Sequence, residues 1–575
     1  MKMNQLPCSL GPSPWALSYL LLLLALLAHS ARAQFPAAAS PTQFICDAPG
    51  NQFGVQAFAD GAGGAYTVWI DKRAGNNVGP GTALYVQRLN AAGVPQLAAN
   101  GRRLFQTAGR DIFGMRAIAW SNGLLVAWVQ GAFGIGGDTV RCQFYNAAGD
   151  PQWLTPTVVA YRTLPTVIYE SEQGLNILPT STGATITHAL ALNGGSNRFT
   201  FNKIGPTGTL SFPNNDRQTV VVPPSGYQLD YYHSVGDGGD GFYLVASSGG
   251  LSSEIYAQHF SAAGGLTWPN YTVVSAAGPS GRGSDWLLLL DPAGNLYVAW
   301  TSNGNDPLVS KVLPSGALGW AAPGYVSLCT YASRQSNPHA IWHDNALWMI
   351  WEDSRAGTGS YDYACYAQKI DVTGALAWGP AGVPVYALPA AYLRPKLAPS
   401  NNGAVMAFYS TDTNVANFRA QKLLPTGAVA FAVNGVILHS AAENRPADLD
   451  YVPVGQPDGS VQVYWSSPGG APTSRDICAG RMQNSGTLLG AAERAAEAAG
   501  FEVYPNPATT ELRVELPAGP APGPLALFDA TGQLVRRFSG AETLQPLSLQ
   551  GLSPGLYVLR GRVRGQEVSR RVAVE

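Results

Sequence analysis

Short runs of alternating hydrophobic and polar residues fill most of the chain, and turn residues separate them at regular intervals. The clearest unit spans residues 351–378. A run that ends at Trp351 is followed by a charged turn, a second run from Tyr366 to Ile370, and a turn that closes at Gly374. Alternation with a period of two is typical of a strand with one buried face. The unit therefore predicts neighbouring antiparallel strands joined by tight turns.

The same unit recurs along the chain, and a turn glycine after the second run marks each copy. These glycines lie 52 to 59 residues apart, and they are Gly93, Gly149, Gly208, Gly264, Gly316, Gly374, Gly427 and Gly486. One more run precedes each unit and another can be drawn after it, so each copy supplies four short strands. Such a small sheet is not stable alone, but copies that close into a circle cover each other's faces.

This repeat predicts an all-β protein with an eight-bladed β-propeller over residues 34–488. Seven blades are the alternative if the irregular copy around Gly208 is an insertion. A stacked β-solenoid is a further alternative, but it would need shorter coils.

Closure of a propeller commonly uses a strand from the other end of the chain. Residues Thr42–Cys46 precede the first copy, and we expect them to pair with Asp476–Arg481 of the last copy. That pairing would place Cys46 and Cys478 on adjacent strands, so we predict a disulfide between them.

Residues 1–33 have the features of a secretion signal peptide. Lys2 supplies a positive charge, an apolar run extends from Trp15 to about Ala28, and Ala31-Arg32-Ala33 has the pattern of a cleavage site. The apolar run is too short to indicate a membrane span, and we expect no transmembrane segment once the signal is removed.

The composition narrows the possible functions. Charged residues make up 12% of the chain, the net charge is -1, and no run of Lys and Arg occurs. Nucleic-acid binding requires a basic surface, so we do not expect it. Five cysteines follow the signal peptide, an odd number that leaves at least one thiol unpaired and is too few for a disulfide-dense scaffold.

After a linker over residues 489–500, the segment 501–575 again consists of short strands and predicts a small β-sandwich. Turn motifs separate these strands. They are Tyr504-Pro505-Asn506-Pro507, the turn Asp529–Gly532, the segment Leu552–Tyr557 with Pro554 and Gly555, and the basic pair Arg570-Arg571.

These motifs, in this order, resemble the type A C-terminal sorting domain of the type IX secretion system of Bacteroidota. The basic pair is often Lys in that family. The resemblance implies export across both membranes, to a secreted or cell-surface location, with the type IX secretion machinery as a partner. In the family the domain is often removed after export, and the resemblance implies nothing about the propeller.

Two copies of a W-x-D-x-R motif, Trp69–Arg73 and Trp351–Arg355, could supply carboxyl groups for acid–base chemistry. A catalytic residue has no reason to recur at the same point of different blades, whereas an Asp–Arg pair that braces a loop does. We therefore interpret both copies as structural.

Four further patterns match known site chemistry only in part. They are Gly551-x-Ser553-x-Gly555, His339 with His343, the loop Gly236–Gly241 with Asp237 and Asp240, and the tyrosines Tyr227, Tyr231 and Tyr232. The Gly551–Gly555 pattern lacks the strand-to-helix context of a nucleophile elbow. His339 and His343 lie on a predicted strand, where their rings would be about 13 Å apart. The loop lacks the spacing of an EF-hand and suits a hairpin turn. The tyrosines could stack on sugars, but we interpret them as packing residues.

We thus predict no catalytic residue, no metal ligand and no cofactor, with structural calcium left open. The expected function is a binding or adhesion module for an extracellular glycan or protein. The alternative is a secreted polysaccharide hydrolase or lyase with acids in the propeller channel. Unlike polar residues that converge from several blades would favour the enzyme, and the sequence shows repeated residues instead.

Overall fold

The structure is a computed structural model. It describes residues 43–575 except for 74–80, 92, 107–109, 132–138, 162–174, 192–196, 213–228, 249–253, 276–285, 303–305, 358–361, 391–392, 413–415, 442–449, 469–474, 487, 490–501, 505, 507, 516–523, 530–532, 540–544 and 564–565. Within the described residues, every regular element is a strand apart from one short 3-10 helix, Ser354–Ala356. This part of the chain is all-β, as the sequence predicts.

The strands described up to residue 489 form eight antiparallel sheets, which we number in chain order. The chain begins with β1 (Gln43–Cys46). Sheet 1 contains β2 (Gln52–Ala59), β3 (Ala65–Asp71), β4 (Ala83–Leu89) and β5 (Arg102–Gln106), and sheet 2 contains β6 (Asp111–Trp120), β7 (Gly123–Gly131), β8 (Thr139–Asn146) and β9 (Thr157–Tyr161). Sheet 3 contains β10 (Asn176–Thr180), β11 (Gly183–Ala191) and β12 (Asn197–Ile204), and sheet 4 contains β13 (Leu229–Gly236), β14 (Phe242–Ser248), β15 (Ile255–Phe260) and β16 (Thr272–Ser275).

The second half of this region repeats the arrangement. Sheet 5 contains β17 (Leu287–Leu290), β18 (Leu296–Thr301), β19 (Pro307–Val312) and β20 (Tyr325–Ser327), and sheet 6 contains β21 (Gln335–His343), β22 (Ala346–Asp353), β23 (Tyr363–Ile370) and β24 (Val383–Ala390). Sheet 7 contains β25 (Lys396–Pro399), β26 (Val405–Asp412), β27 (Ala416–Leu423) and β28 (Val436–Ala441). Sheet 8 contains β29 (Tyr451–Gly455), β30 (Val461–Pro468), β31 (Arg475–Met482) and β32 (Leu488–Leu489), and β1 joins it.

The first strands of consecutive sheets contact one another in a closed cycle. The contacts run in the order β2, β6, β10, β13, β17, β21, β25 and β29, and β29 also contacts β2. Each neighbouring pair of sheets, including sheets 8 and 1, encloses its own apolar cluster of buried residues. The core of this region is therefore a series of layers between sheets, as the repeat requires.

The second strand of a sheet lies between two such layers. In β3, β7 and β22 every residue is buried, including Trp69, Trp128 and Trp351. A strand covered on both faces needs apolar residues at successive positions rather than strict alternation. This explains continuous runs such as the LLVAWV of β7.

The eight turn glycines found in the sequence share one backbone conformation. Their φ values lie between 77° and 92°, the left-handed region that glycine adopts without a steric penalty. In each turn the glycine N–H donates a hydrogen bond to the carbonyl three residues earlier. The prediction of eight equivalent turns is confirmed.

An aromatic side chain four residues after several of these glycines reaches the turn of the next sheet. The Trp378 indole donates a hydrogen bond of 3.1 Å to the carbonyl of Pro425, and its ring lies against Gly427, where an added Cβ would be 3.0 Å from Cδ1. Trp153 and Trp268 make the same contact with sheets 3 and 5. These contacts fix neighbouring sheets to one another at the turns.

The chain closes as the sequence predicts, but the predicted disulfide is wrong. Strand β1 pairs with β31, with Phe44 opposite Cys478 and Cys46 opposite Ile477 across an irregularity in the register. Cys46 packs in the layer between sheets 8 and 1, whereas Cys478 packs in the layer between sheets 7 and 8. The two thiols lie on opposite faces of the sheet, and both are free.

The strands described after residue 501 form two further sheets. One contains β33 (Glu502–Tyr504), β34 (Glu511–Glu515) and β37 (Leu547–Ser548), and the other contains β35 (Leu525–Phe528), β36 (Leu534–Phe538), β38 (Gly555–Val563) and β39 (Gln566–Val574). Residues of both sheets share one buried cluster, which includes Leu512, Leu527, Leu559 and Val572.

Candidate functional site

The two W-x-D-x-R motifs build the same buried group, which we call the Trp–Asp–Arg brace. In sheet 1, Asp71 accepts hydrogen bonds from the Trp69 indole at 3.0 Å and from the Arg73 guanidinium at 2.6 Å. In sheet 6, Asp353 accepts the equivalent bonds from Trp351 and Arg355 at 3.2 and 2.6 Å. Both aspartates are fully buried. The interpretation of the motifs as structural pairs agrees with this geometry.

Each brace also holds a buried thiol. Arg73 Nη2 lies 3.0 Å from Cys46 Sγ, and Arg355 Nη2 lies 2.8 Å from Cys329 Sγ. Burial raises the pKa of the Cys46 thiol to about 12, and burial also raises the pKa of Cys329. Thiols that stay protonated at neutral pH are poor nucleophiles, so these cysteines belong to the brace and not to a reactive site.

The electrostatics of the sheet 6 brace favour a stable ion pair. Burial by itself raises the pKa of the Asp353 carboxyl, but hydrogen bonds from Arg355, Ser333 and Trp351 outweigh burial and hold the pKa below its usual value. The Arg355 guanidinium also lies over the Tyr366 ring, 3.8 Å from its centroid. A carboxyl bound in this way is committed to structure rather than to proton transfer.

Sheets 1 and 6 have the same register around the brace. Gln52 lies opposite Asp71 in sheet 1, and Gln335 lies opposite Asp353 in sheet 6. In each first strand an irregular step follows one pair later, and the residue there has a positive φ: 63° for Gly54 and 49° for Asn337. The two sheets can therefore be compared residue by residue.

That comparison reveals an acidic residue in sheet 6 that has no counterpart in sheet 1. Glu352 occupies the position of Ile70, and Asn337 occupies the position of Gly54. The Glu352 carboxyl is 1% exposed, and Oε2 accepts hydrogen bonds from Asn337 at 2.8 Å and from Ser336 at 3.1 Å.

Oε1 of Glu352 accepts a third bond of 2.7 Å from the backbone N–H of Arg394, which precedes the first strand of sheet 7. Ser336, Asn337, Glu352 and Arg394 together form what we call the Glu352 corner. Unlike polar residues from two sheets meet there, which the repeat by itself does not require. The repeat pattern does not predict this corner, although Glu352 and Asn337, the two departures from the sheet 1 copy, mark its place in the sequence.

The backbone of Arg394 has an uncommon conformation. Its φ is 43°, and the next residue is Pro395, which restricts the residue before it to extended conformations in most proteins. The Tyr451 hydroxyl of sheet 8 donates a hydrogen bond to the Arg394 carbonyl, so both polar groups of this residue are held. The side chain is exposed.

Beside the corner, His339 links sheets 6 and 7. Its Nδ1 accepts a hydrogen bond of 3.1 Å from the backbone N–H of Leu397. Burial and, to a smaller extent, the charge of Lys396 lower the pKa of His339 to about 3, so the ring is neutral at physiological pH. In sheet 1 the same place is taken by Gln56, which bonds the backbone of Met115 and Ala117 in sheet 2.

Two motifs of the C-terminal segment make hydrogen bonds to the backbone. The bond of Asn506 is to a distant strand, and the bond of Asp529 is to a residue close to it in the chain. Asn506 Oδ1 accepts a hydrogen bond of 2.8 Å from the N–H of Ala573 in β39. Asp529 Oδ1, just after β35, accepts one of 2.9 Å from the N–H of Gln533, just before β36. Pro505, Pro507 and Gly532 lie outside the described residues.

The remaining predicted sorting residues lie on or next to β38 and β39. The Tyr557 hydroxyl donates a hydrogen bond of 2.8 Å to the carbonyl of Ser553, across Pro554 and Gly555. Arg570 and Arg571 lie in β39, opposite Leu559 and Val558. Tyr504 ends β33, and the side chains of Tyr504 and Arg571 lie outside the described residues.

The four partial motifs take ordinary structural positions where the structure describes them. Ser553 lies in the turn before β38, and His339 and His343 lie on β21. Asp237 accepts hydrogen bonds from the N–H groups of Gly239 and Gly241 in a hairpin turn. Tyr232 packs against Phe199, whereas Tyr227 and the side chain of Tyr231 lie outside the described residues.

Within the described residues, no group of three or more His, Cys, Asp or Glu side chains is arranged to hold a metal ion. The same part of the chain contains no helix with the length and apolar character needed to cross a membrane.

Residues 502–575 match the family described as the secretion system C-terminal sorting domain. The match covers the segment whose motifs suggested this domain, and it indicates export by type IX secretion to the cell surface or the extracellular space. The sorting domain implies interaction with the type IX secretion machinery. The chain matches none of the curated proteins with which it was compared.

Several solved structures resemble the fold at low identity. A protein of unknown function from Dyadobacter fermentans is 10% identical, with 78% of this chain and 99% of that chain covered and a TM-score of 0.35. The α-L-arabinanase of Penicillium chrysogenum with arabinobiose is 14% identical, with 53% and 93% covered and a TM-score of 0.33. The α-L-arabinofuranosidase of Fusarium graminearum with arabinobiose is 13% identical, with 54% and 94% covered and a TM-score of 0.31. Likeness at this level carries no argument about the activity of this chain.

Proposed function

We propose that this protein is an exported binding module built on an eight-bladed β-propeller, with its ligand held at the Glu352 corner. Sheets 1 to 8 would be the blades, and their closed cycle of contacts supports this count. The two C-terminal sheets with their shared core support a β-sandwich. We further propose a bacterium of the Bacteroidota as the source, cleavage of the signal peptide before Gln34, and removal of the sorting domain after export.

The observation that carries the binding function is the state of the Glu352 carboxyl. It is buried, and three donors from Ser336, Asn337 and Arg394 occupy its two oxygens. Glycoside hydrolysis by two carboxyl groups needs one of them to give up a proton and the other to face the substrate or a water. A carboxyl with both oxygens engaged by the protein instead fixes the residues around it. This arrangement suits recognition.

The alternative function is a polysaccharide hydrolase or lyase. Convergence of unlike polar residues is the feature that favours it, and the Glu352 corner is such a convergence. The engaged carboxyl is the reason why we prefer binding.

One experiment separates the two functions. The purified protein is titrated with a panel of neutral and acidic polysaccharides, and the same mixtures are assayed for new reducing ends and for unsaturated sugar products. We expect saturable binding without product. Product release that follows the protein concentration and disappears in Glu352→Gln would overturn the proposal in favour of the enzyme.

A further inference from the structure

The structure holds the Arg394 backbone in place from both sides. Its N–H donates to the buried Glu352, and its carbonyl accepts from the buried Tyr451 hydroxyl. A non-glycine residue with a φ of 43° before a proline persists only where the surroundings determine it. Residues of this kind concentrate at sites where a side chain must have a fixed position.

The side chain that this backbone presents is uncommitted. Arg394 is exposed, and its guanidinium makes no hydrogen bond or ion pair with any residue that the structure describes. Arg355 and Arg419 differ from it, since Arg355 bonds Asp353 and Arg419 bonds the carbonyl of Asn434. A guanidinium has a planar fork of N–H donors that matches the oxygens of a carboxylate or sulfate group.

An exposed aromatic ring accompanies this cation at the same end of sheet 6. Tyr331 is 51% exposed, and the Arg355 guanidinium lies 4.6 Å from its ring centroid. Because Asp353 holds Arg355, the Tyr331 ring rests on a fixed support. In sheet 1 the equivalent position, two residues after the brace cysteine, is Ala48, so the ring is particular to sheet 6.

A second exposed arginine lies next to the start of β21, the first strand of sheet 6. Arg334 directly precedes β21, and its backbone N–H donates a hydrogen bond of 3.0 Å to Ser354 Oγ. Its guanidinium lies 6.0 Å from the Tyr363 ring centroid. Because β21 and β25 contact each other, we take the exposed residues that precede them, Tyr331, Arg334 and Arg394, as one candidate surface.

We propose that this surface binds an acidic polysaccharide, with Arg394 pairing to a carboxylate or sulfate group and Tyr331 packing on a sugar ring. Glu352 and Asn337 are positioning residues in this scheme, because they act through the backbone that presents Arg394. The inference rests on the proposed binding function and adds the class of ligand. The sugar is favoured over an acidic peptide because an exposed aromatic ring with a fixed support, Tyr331, lies at the same end of sheet 6 as this cation.

The test uses the full exported protein and calorimetric titration with four polymers. Polygalacturonate carries carboxylates, dextran sulfate carries sulfates, dextran is neutral, and poly-L-glutamate carries carboxylates without sugar. We expect one of the two acidic polysaccharides to bind at least about tenfold more tightly than dextran, because a charge-assisted pair is worth more than a neutral hydrogen bond. Which of the two binds identifies the oxyanion.

Variants assign the effect to the site. Arg394→Ala is expected to lower the affinity for the acidic polysaccharide about tenfold. Arg394→Lys should lower this affinity by less, since lysine keeps the positive charge without the planar fork of N–H donors. Arg103→Ala is the matched control, because Arg103 is an exposed arginine on the outer strand β5. It should leave the affinity unchanged. Unchanged melting temperatures for all three variants would exclude loss of folding.

Each other outcome overturns the inference in a distinct way. If a polysaccharide binds and Arg394→Ala binds it equally well, the binding function stands and the acidic site is wrong. If poly-L-glutamate binds as tightly as the sugars, the ligand is an acidic protein. If no polymer in the panel binds, both the ligand class and the binding function for glycans fail.

Discussion

Sheets 1 and 6 carry the Trp–Asp–Arg brace at the same register, yet the residue before the aspartate is Ile70 in one and Glu352 in the other. An isoleucine between two sheets gains stability from burial, whereas a buried carboxyl costs stability unless donors surround it. Asn337 and Ser336 of sheet 6 supply two of those donors, and the backbone of Arg394, which precedes sheet 7, supplies the third. Residues common to both sheets follow from what every sheet needs. Glu352 and its donors, which sheet 1 lacks, are therefore the better candidates for a function.

The largest change in stability is expected at the Trp–Asp–Arg brace, which both sheets share. Removal of the acid leaves a buried arginine without its partner, so Asp353→Ala should lower the free energy of unfolding by about 3–5 kcal/mol. Asp71→Ala should cost less, because the Arg73 side chain is 21% exposed and the Arg355 side chain is 8% exposed. Chemical denaturation followed by tryptophan fluorescence measures both. Arg103→Ala, at an exposed position in β5, is the control. Loss of binding with no loss of stability in Asp353→Ala would contradict the structural role.

A double variant tests the part that differs. Glu352→Ile with Asn337→Gly installs the residues of sheet 1 in sheet 6. We expect the fold to survive with a change of about 1–2 kcal/mol, because an apolar residue replaces a buried polar group while the Arg394 N–H loses its acceptor. Ligand affinity should fall about tenfold, since Arg394 is no longer held. Titration calorimetry and melting curves report the two effects. Undiminished affinity in a folded variant would show that the Glu352 corner has no part in binding.

The two sheets also differ in their response to acid. The folded pKa of His339 is about 3, below the value of about 6.5 in an unfolded chain. The unfolded state therefore binds a proton that the folded state excludes, so this contribution to stability is complete above pH 6.5 and declines as the pH falls toward 3.

His339→Gln installs the residue of sheet 1, and it should reduce the loss of melting temperature between pH 7 and pH 4.5. Burial also lowers the pKa of His439, so part of the loss of melting temperature between pH 7 and pH 4.5 should remain in the variant. Stability at pH 8 should change little, because glutamine can accept the Leu397 N–H as Gln56 accepts that of Ala117. An unchanged slope in the variant would mean that His339 is protonated in the folded protein.

The smallest effect is expected at the thiols. All five cysteines in the described part of the chain are free and buried, so a reducing agent should not change the melting temperature. A thiol assay in denaturant without reductant should find all five. A lower count would point to an oxidised pair, and a melting temperature that falls on reduction would point to a structural disulfide.

The features that recur in every repeat could be predicted from the sequence. The turn glycines, the all-β character and the pairing of β1 with β31 follow from local turn chemistry and from the need of each sheet to be covered. The disulfide between Cys46 and Cys478 could not be judged from strand adjacency alone, because one irregular step in the register turns Cys46 to the other face.

The Glu352 corner was missed for a different reason. It depends on Arg394, which precedes the first strand of sheet 7 and is brought to Glu352 only by the packing of sheets 6 and 7. A contact between distant backbone and side-chain atoms leaves no periodic trace in the sequence. The substitution of Ile70 by Glu352 in an otherwise repeated frame is the local sign of it.

The outer edge of sheet 8 has one further consequence. Strand β1 finds its neighbour only at β31, after nearly all of the eight sheets have been made, so the circle cannot be completed progressively from one end. Pairings across such long stretches of chain form slowly. We expect the docking of this short strand to be the last and slowest step in folding.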